Sequence, residues 1–375
     1  MSSVALSIDI MLPSLGEISQ TLGVQDGNDR QLVIVALFVG LTFGQLVFGP
    51  VSDATGRRPM IFLGIGVFVV GSVICALAAS FELMLFGRIL QGFGAAGPRI
   101  VTVALIRDRF EGQSMAQVTS IIMGIFIFVP ILAPSVGQAM LFLMPWRGLF
   151  IVLAAVSLVG GGWLALRQRE TLAKPIALTI HTYAKASLEV FRSPTPMAFT
   201  FAGACAYGAL MGYINSSQQL FQDVYGLGDA YALWFGLSAA FISAATFLNA
   251  RLVASIRMET ICITAMAVLV LWSLAFEIYF HTTDHVPELL VWMVFNCVNL
   301  FLLGLTFGNF NAIALKSFGH IAGIAAALIA SVNSALSIGI AWMIGNAFDG
   351  TNSAMMLGYL SCGAAAVVAI LIFDR

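Results

Sequence analysis

The chain contains 375 residues, of which 60% are hydrophobic and 9% are charged, and its formal net charge is −1. Its mean hydropathy is +0.97. Because about 25% of the residues of an ordinary soluble domain are charged, this composition excludes a water-soluble globular protein and indicates apolar side chains that face lipid. The net charge points to no nucleic-acid partner, and we expect none.

Twelve apolar runs follow one another along the chain, separated by short segments with charged residues, glycine or proline. About 18 or more apolar residues can cross the hydrocarbon core of a bilayer as a helix, so we predict an all-α protein with twelve transmembrane helices. The runs lie at 1–22, 31–50, 59–80, 82–106, 113–143, 147–166, 196–221, 230–252, 259–280, 287–314, 317–346 and 354–373. Asp9 lies close to the start of the first run, and we therefore expect further apolar residues upstream of Met1.

The basic residues are distributed unequally between the two sides of the predicted membrane. All of the 17 lysines and arginines lie in the even-numbered breaks or at the C-terminus, except Arg30 and Arg147 in odd-numbered breaks and Arg88 and Arg99 inside runs. Loops rich in Lys and Arg remain cytoplasmic. We therefore predict a multi-pass protein of the bacterial cytoplasmic membrane with both termini in the cytoplasm.

The longest polar interval, 167–195, divides the chain into two halves. Residues 1–166 and 196–375 each contain six predicted helices, so the pattern predicts two six-helix bundles around a central cavity, joined by a cytoplasmic linker. Residues 178–191 of that linker form an amphipathic pattern, which favours a helix on the membrane surface. An arrangement of two related bundles is typical of secondary transporters, which bind their substrate near the bilayer midplane.

Residues 92–97 read GFGAAG, which matches the G-x-G-x-x-G fingerprint of a dinucleotide-binding loop. That loop follows a β-strand in a soluble βαβ unit, whereas residues 81–90 continue an apolar helical run. Small residues at this spacing also let two transmembrane helices approach closely. We therefore predict helix packing here and no nucleotide site.

Three charged residues inside predicted helices are of particular interest. Arg88 and Arg99 are separated by about three helical turns and lie on nearly the same face. An arginine in hydrocarbon costs about 2.5–3.5 kcal/mol or more, so each should meet a cavity, a carboxylate or backbone carbonyls; alternatively, Arg88 lies at a helix end and extends to the interface. Asp9 is taken as the only acid well inside a run, where it either exchanges a proton or forms structural hydrogen bonds.

The second break contains a compact motif, GPVSDATGRRP at residues 49–59. Gly56 permits a tight turn, and Asp53 can cap the next helix and pair with a basic residue of a neighbouring helix. The positions that define this motif are Gly49, Asp53, Gly56, Arg57 and Arg58.

These residues resemble the cytoplasmic loop motif of the major facilitator superfamily. RILQG at 88–92 is similar to a motif of the family's fourth helix, and the stretch 7–13 around Asp9 is similar to its first-helix motif. PILAPSVG at 130–137 is similar to the antiporter motif of the fifth helix, carried here by Pro130, Pro134 and Gly137. Over nearly its whole length the chain resembles the twelve-helix drug:proton antiporters of the bicyclomycin/chloramphenicol-resistance type.

The resemblance implies the export of a small molecule by alternating access, driven by a proton gradient and without a cofactor. It assigns proton coupling to Asp9 and Arg88, a cytoplasmic gate to the loop motif, and helix bending to the motif at 130–137. We expect a monomer whose partners are its substrate, protons and lipid. Uptake by the same fold remains an alternative. Because Arg99 has no place in the family's motifs, an exporter of an anionic metabolite such as a siderophore remains another.

Polar residues within the runs are the candidates for a substrate cavity. They are Gln91, Arg99, Tyr213, Asn215, Gln218, Asn309 and Asn333. The alternative for each is a hydrogen bond to a neighbouring helix. His281 and His285 have metal-like spacing, but no further ligand clusters with them, so we predict no metal site. The five cysteines fall in apolar runs and are interpreted as small hydrophobes, and the absence of catalytic motifs argues against an enzyme.

Overall fold

The computed structural model of the chain describes residues 2–110, 112–172, 180–283 and 286–373. All regular secondary structure in these ranges is helical, which confirms the predicted fold class. The α-helices are α1 Ser2–Asp9, α2 Leu15–Thr21, α3 Leu32–Thr55, α4 Arg57–Ala76, α5 Phe81–Arg109, α6 Gly112–Leu141, α7 Trp146–Arg167, α8 Ile180–Arg192, α9 Pro194–Gln218, α10 Tyr231–Leu252, α11 Met258–Thr283, α12 Leu289–Gly304, α13 Phe307–Leu315, α14 Ala322–Asn346 and α15 Ser353–Phe373.

Within the described ranges, ten helical segments are long and apolar enough to cross a membrane. They coincide with ten of the twelve predicted runs. The first run is divided instead into α1, a 3-10 turn at Leu12–Ser14 and α2, since Pro13 lies in that turn. The fifth run lies within α6, Gly112–Leu141, and the part of that helix whose side chains the structure describes includes the apolar stretch Phe128–Leu141.

The chain forms two compact units, Met1–Ala186 and Ser187–Arg375. The boundary between them lies inside the interval 167–195, which the sequence analysis assigns to a linker. Helix α8 crosses this boundary and buries Ala186 and Val190, while Leu188 and Phe191 are exposed. The amphipathic pattern predicted for 178–191 therefore corresponds to a helix from residue 180 onward, and residues 178–179 lie outside the described ranges.

In the first unit, α5 lies between α3 and α4 at very short range. A methyl group on Gly92 would stand 1.8 Å from the carbonyl oxygen of Leu37, and one on Gly40 would stand 1.9 Å from that of Ile89. A methyl group on Gly94 would stand 2.3 Å from the backbone nitrogen of Phe68, which is also too close for any side chain. The packing interpretation of GFGAAG is thus confirmed, and these glycines are required by backbone contact between helices.

In the second unit, α9 is the central helix and packs against α13, α14 and α15. Nearly every side chain of its last three turns is buried. After Gln218 the helix continues as a π-helical segment, Gln219–Val224. Because π-helical turns are rare and occur frequently at functional sites, this end of α9 is a position of interest.

Candidate functional site

Asp9 lies at the break in the first apolar run. It is the last residue of α1, directly before the turn that leads to Pro13. Its exposed fraction is only 3%, and it forms no ion pair or side-chain hydrogen bond with any residue that the structure describes. An ionised carboxylate in this position would be buried without a compensating charge.

Arg88 is completely buried in the middle of the first unit. Its Nε donates a hydrogen bond to the carbonyl oxygen of Val33 at 2.9 Å, and its Nη1 donates to that of Ser7 at 3.0 Å and to Oε1 of Gln91 at 2.5 Å. Gln91 in turn donates from Nε2 to the hydroxyl of Ser72 at 2.8 Å. The guanidinium therefore connects α5 directly to α1 and α3, and through Gln91 to α4.

These contacts decide which of the expected surroundings Arg88 has. The alternative in which its side chain reaches the membrane interface is wrong, because no part of the side chain is exposed. It also does not pair with Asp9 in the described structure: its partner on α1 is the backbone carbonyl of Ser7. Ser7 lies in the last turn of a helix, where carbonyl groups lack intrahelical donors, so the charge is stabilised by main-chain dipoles.

Arg99 lies farther along α5 and is only partly buried. Among the described residues it has neither a hydrogen-bond acceptor nor an ion-pair partner. It therefore differs from Arg88, whose Nε and Nη1 both donate to described acceptors. Its assignment to a substrate cavity stays a prediction.

The motif of the fifth run lies against the chain next to Asp9. Pro130 and Pro134 are both inside α6. A methyl group on Gly137 would stand 2.0 Å from the carbonyl oxygen of Ile10, so only glycine allows α6 to contact the backbone at this point. The predicted antiporter motif and Asp9 are thus neighbours in the first unit.

The loop motif forms a compact charge cluster around Arg57, which is almost fully buried. The guanidinium donates to Oδ2 of Asp108 and to the hydroxyl of Ser52, both at 2.9 Å, and it also pairs with Asp53. Gly49 lies one turn earlier on α3, and its carbonyl accepts from the Ser52 hydroxyl at 2.8 Å. Asp108, at the end of α5, has no predicted role in the sequence analysis.

The beginning of α4 is capped by Glu170, which corrects the expectation that Asp53 performs this role. The backbone N–H groups of Arg57 and Arg58 donate to Oε1 and Oε2 of Glu170, each at 2.9 Å. Gly56 before them has a φ of 109°, a conformation that favours glycine. Burial raises the pKa of Glu170, but the backbone N–H donors outweigh it and hold that pKa below its ordinary value. The sequence contains only an indirect indication of this cap. Because α4 begins after a glycine, which has no side chain to accept a hydrogen bond, its first backbone N–H groups need an acceptor from another part of the chain.

The polar candidates of the second unit fall into two groups. Asn309 exchanges hydrogen bonds with Asn249 at 2.8 and 3.1 Å, and Asn333 donates to the carbonyl of Thr200 at 3.4 Å. These two amides therefore connect neighbouring helices, the alternative that the sequence leaves open.

The second group lies at the end of α9. Tyr213, Asn215 and Gln218 are buried, and Tyr213 stacks on Phe235 with 5.7 Å between ring centres. In the described structure, Oδ1 of Asn215 and Oε1 of Gln218 accept no hydrogen bond. A buried acceptor without a donor is costly. A bound molecule that donates a hydrogen bond to either oxygen would remove that cost, so both oxygens are candidates for contact with a ligand.

One residue of this unit contradicts the expectation that Asp9 is the only acid inside a run. Glu277 on α11 has an exposed fraction of 8%, and its Oε1 lies 3.1 Å from Nε2 of His281. His285 lies outside the described ranges, and no group of three metal-ligating side chains occurs inside them. All five cysteines are buried and unpaired.

Comparison with known sequences supports the resemblance. A family model described as "Major Facilitator Superfamily" matches residues 1–342. The chain is 31% identical to the uncharacterized MFS-type transporter YdgK of Bacillus subtilis, covering 86% of this chain and 81% of YdgK. It is 28% identical to the bicyclomycin resistance protein homolog of Haemophilus influenzae, over 70% of this chain and 66% of that protein. It is 29% identical to the multidrug resistance protein MdtL of Salmonella typhimurium, over 62% of this chain and 59% of MdtL. The chain thus spans less than two thirds of the length of the last two proteins.

Solved structures show the same fold. A D-xylose–proton symporter superposes with a TM-score of 0.75 over 100% of this chain and 95% of its own, at 14% identity. The human organic anion transporter MFSD10 superposes with a TM-score of 0.69 over 99% of this chain and 96% of its own, at 15% identity.

We predict that Arg88→Lys destabilises the first unit far more than Arg99→Lys. A lysine has a single nitrogen and cannot reach Val33, Ser7 and Gln91 together, whereas Arg99 has no described partner to lose. Arg88→Lys should lower the free energy of unfolding by at least about 1.5 kcal/mol, the contribution of one charge-assisted hydrogen bond. Thermal unfolding of the purified variants in detergent measures this; equal stability of the two variants would contradict the role of the carbonyl contacts.

We also predict a pH-dependent role for Glu170. Glu170→Gln should destabilise the first turn of α4 by about 1 kcal/mol, as expected for a lost cap, and speed hydrogen exchange at the amides of Arg57 and Arg58. Because the pKa of Glu170 is lowered by folding, its contribution is present at neutral pH and is lost as the pH falls through that pKa. The difference between wild type and variant should therefore vanish in acid; a difference that persists there would exclude the carboxylate as its source.

Proposed function

Because the chain belongs to the Major Facilitator Superfamily, a family of membrane transporters, we propose that it exports a small molecule across the bacterial cytoplasmic membrane in exchange for protons. The observation that carries this proposal is Asp9, a buried carboxylate without a described cationic partner. Such a group is neutral when buried and ionised when water reaches it. Its protonation therefore follows the access of water, as alternating access requires.

The surroundings of Asp9 support this role. Arg88 and Gly137 hold the backbone on either side of Asp9, at Ser7 and Ile10. Because Arg88 donates to main-chain carbonyls and to Gln91 and not to the carboxylate, Asp9 has no described ion pair to lose when it binds a proton. The predicted cycle loads substrate when Asp9 is deprotonated and releases it when Asp9 takes a proton from the periplasm.

Export is supported by the relatives, two of which are named for resistance to bicyclomycin or to several drugs. A cytoplasmic location of both termini is supported by the distribution of Lys and Arg. The cluster of Arg57, Asp53, Asp108 and Glu170 then lies on the cytoplasmic side, where it is placed to stabilise one state of the gate. The unsatisfied oxygens of Asn215 and Gln218 are the candidates for contact with substrate.

A second candidate function is export of an anionic metabolite. It is favoured by Arg99, a partly buried cation on a membrane helix with no acceptor among the described residues. A carboxylate on the substrate would provide the missing partner.

We expect Asp9→Asn to abolish transport driven by a pH gradient while leaving the protein folded. Proteoliposomes with an imposed pH gradient and chloramphenicol or bicyclomycin as probe measure the flux, and thermal unfolding reports the fold. Glu17→Gln, an exposed acid of the same run, is the matched control and should retain wild-type flux. Gradient-driven flux that survives in Asp9→Asn would remove Asp9 from proton coupling, and flux of the opposite sign in wild type would identify an uptake transporter.

For the second candidate, Arg99→Ala should reduce the flux of a carboxylate-bearing siderophore by roughly tenfold, corresponding to about 1.4 kcal/mol of lost interaction. The flux of a cation such as ethidium should change little. If all fluxes fall together, Arg99 serves the fold or the coupling and does not recognise the charge of the substrate.

A further inference from the structure

A cleft opens in the first unit between the beginning of α4 and the end of α7. Its volume is about 570 Å³, and it is lined by Arg58, Pro59, Phe62, Ala165 and Glu170. Volumes of about 300–1,000 Å³ are typical of the sites that bind small molecules. The proposed transport cycle assigns this cleft no ligand, so we asked which ligand its side chains would recognise.

The Arg58 side chain extends from α4 to α7 without meeting a carboxylate. Its Nη2 donates to the carbonyl oxygen of Ala165 at 2.9 Å, and its guanidinium carbon lies 5.6 Å from the centre of the Phe62 ring. That carbonyl belongs to the last turn of α7, where carbonyl groups lack intrahelical donors. Nε and Nη1 have no acceptor, and the guanidinium has no ion-pair partner, among the described residues. The side chain is thus held in place with two nitrogens left to donate to a ligand.

The carboxylate that lines the cleft does not compensate this charge. Glu170 accepts hydrogen bonds of 2.9 to 3.0 Å from four backbone N–H groups, those of Arg57, Arg58, Thr171 and Leu172. Arg169, the residue before Glu170, is exposed and has no ion-pair partner in the part of the chain that the structure describes. Arg58 and Arg169 together outweigh the single negative charge of Glu170. The excess of positive charge favours an anionic ligand.

The depth of the cleft in the membrane indicates where that anion comes from. Near the same end of α7, the Trp163 side chain is 65% exposed, and the Arg167 guanidinium lies 5.2 Å from its ring centre. Exposed tryptophan beside arginine at the end of a membrane helix is typical of the level of the lipid head groups. The cleft therefore lies where the phosphates of the membrane lipids are.

The surface that continues from the cleft along both helices is apolar and open. Leu63 on α4 and Leu166 on α7 are exposed. Gly66 and Gly162, on the same two helices, are also exposed, and a methyl group on either would meet no atom within 4 Å. This surface has room for an acyl chain, which a free phosphate ion would leave uncovered.

We propose that this cleft binds the head group of one anionic phospholipid. Arg58 donates from Nε and Nη1 to the phosphate oxygens, with Arg169 beside it, and the acyl chains lie on the apolar surface of α4 and α7. Basic pockets between membrane helices recognise anionic lipid head groups by the same chemistry. With the orientation proposed above, on which only the sidedness rests, the lipid belongs to the cytoplasmic leaflet.

Native mass spectrometry of the full chain in detergent, titrated with phosphatidylglycerol, tests this site. Wild type should retain one phosphatidylglycerol molecule. Arg58→Gln should weaken its binding roughly tenfold, the equivalent of about 1.4 kcal/mol, because the phosphate loses its charged donor. Ala165→Phe should weaken it as well, because the larger side chain fills the cleft while every charge is kept. Thermal unfolding reports whether each variant is folded.

Arg251→Gln is the matched control. Arg251 is an exposed arginine in the last turn of α10, so its replacement removes the same charge from another helix end and should leave binding unchanged.

Two further ligands distinguish the source of the anion. Phosphatidylethanolamine has the same phosphate but no net charge, and inorganic phosphate has no acyl chains, so both should bind wild type more weakly than phosphatidylglycerol. Equal binding of either, an equal loss in Arg251→Gln, or full binding in Arg58→Gln or Ala165→Phe would overturn the proposal. The titration requires no substrate flux, so its outcome is distinguishable from a failure of proton-coupled export.

Discussion

The first unit depends on the way in which it buries the charge of Arg88. A guanidinium among apolar helices is costly unless its donors find acceptors. Here Nε and Nη1 donate to the carbonyls of Val33 and Ser7 and to the amide of Gln91, and Nη2 has no partner among the described residues. Main-chain carbonyls do not change their protonation, so the position of the backbone beside Asp9 is held independently of whether Asp9 carries a proton. The structural role of Arg88 therefore does not depend on an ion pair with Asp9.

That network is possible because the helices approach so closely. Glycines at the contacts of α3, α4 and α5 let backbones meet at distances that any side chain would prevent. Close packing excludes lipid and water from the guanidinium, which strengthens each of its hydrogen bonds. At the end of the same helices, a second network binds Arg57 to Asp53 and Asp108. One end of the unit is therefore stabilised by ion pairs and its middle by carbonyl contacts.

The second unit relies on different interactions. Amide pairs such as Asn249 and Asn309 connect its helices, and aromatic rings pack between them, as Phe276 does on Phe295 with 4.2 Å between ring centres. Neutral hydrogen bonds and aromatic contacts carry no net charge into the membrane, so they cost less to bury than ions. Against this background a buried acid such as Glu277 is conspicuous, and its only described hydrogen-bonding partner is a histidine.

The sequence by itself determined the all-α membrane fold, the family and the position of each motif, because apolar length and residue spacing are local properties of the chain. It also indicated the packing role of GFGAAG. Only the tertiary structure decided which groups meet. Arg88 and Ser7 are 81 positions apart and Arg57 and Glu170 are 113 apart, and the burial of Glu277 depends on which face of α11 its neighbours cover. Such contacts follow from the packing of whole helices, which no local pattern specifies.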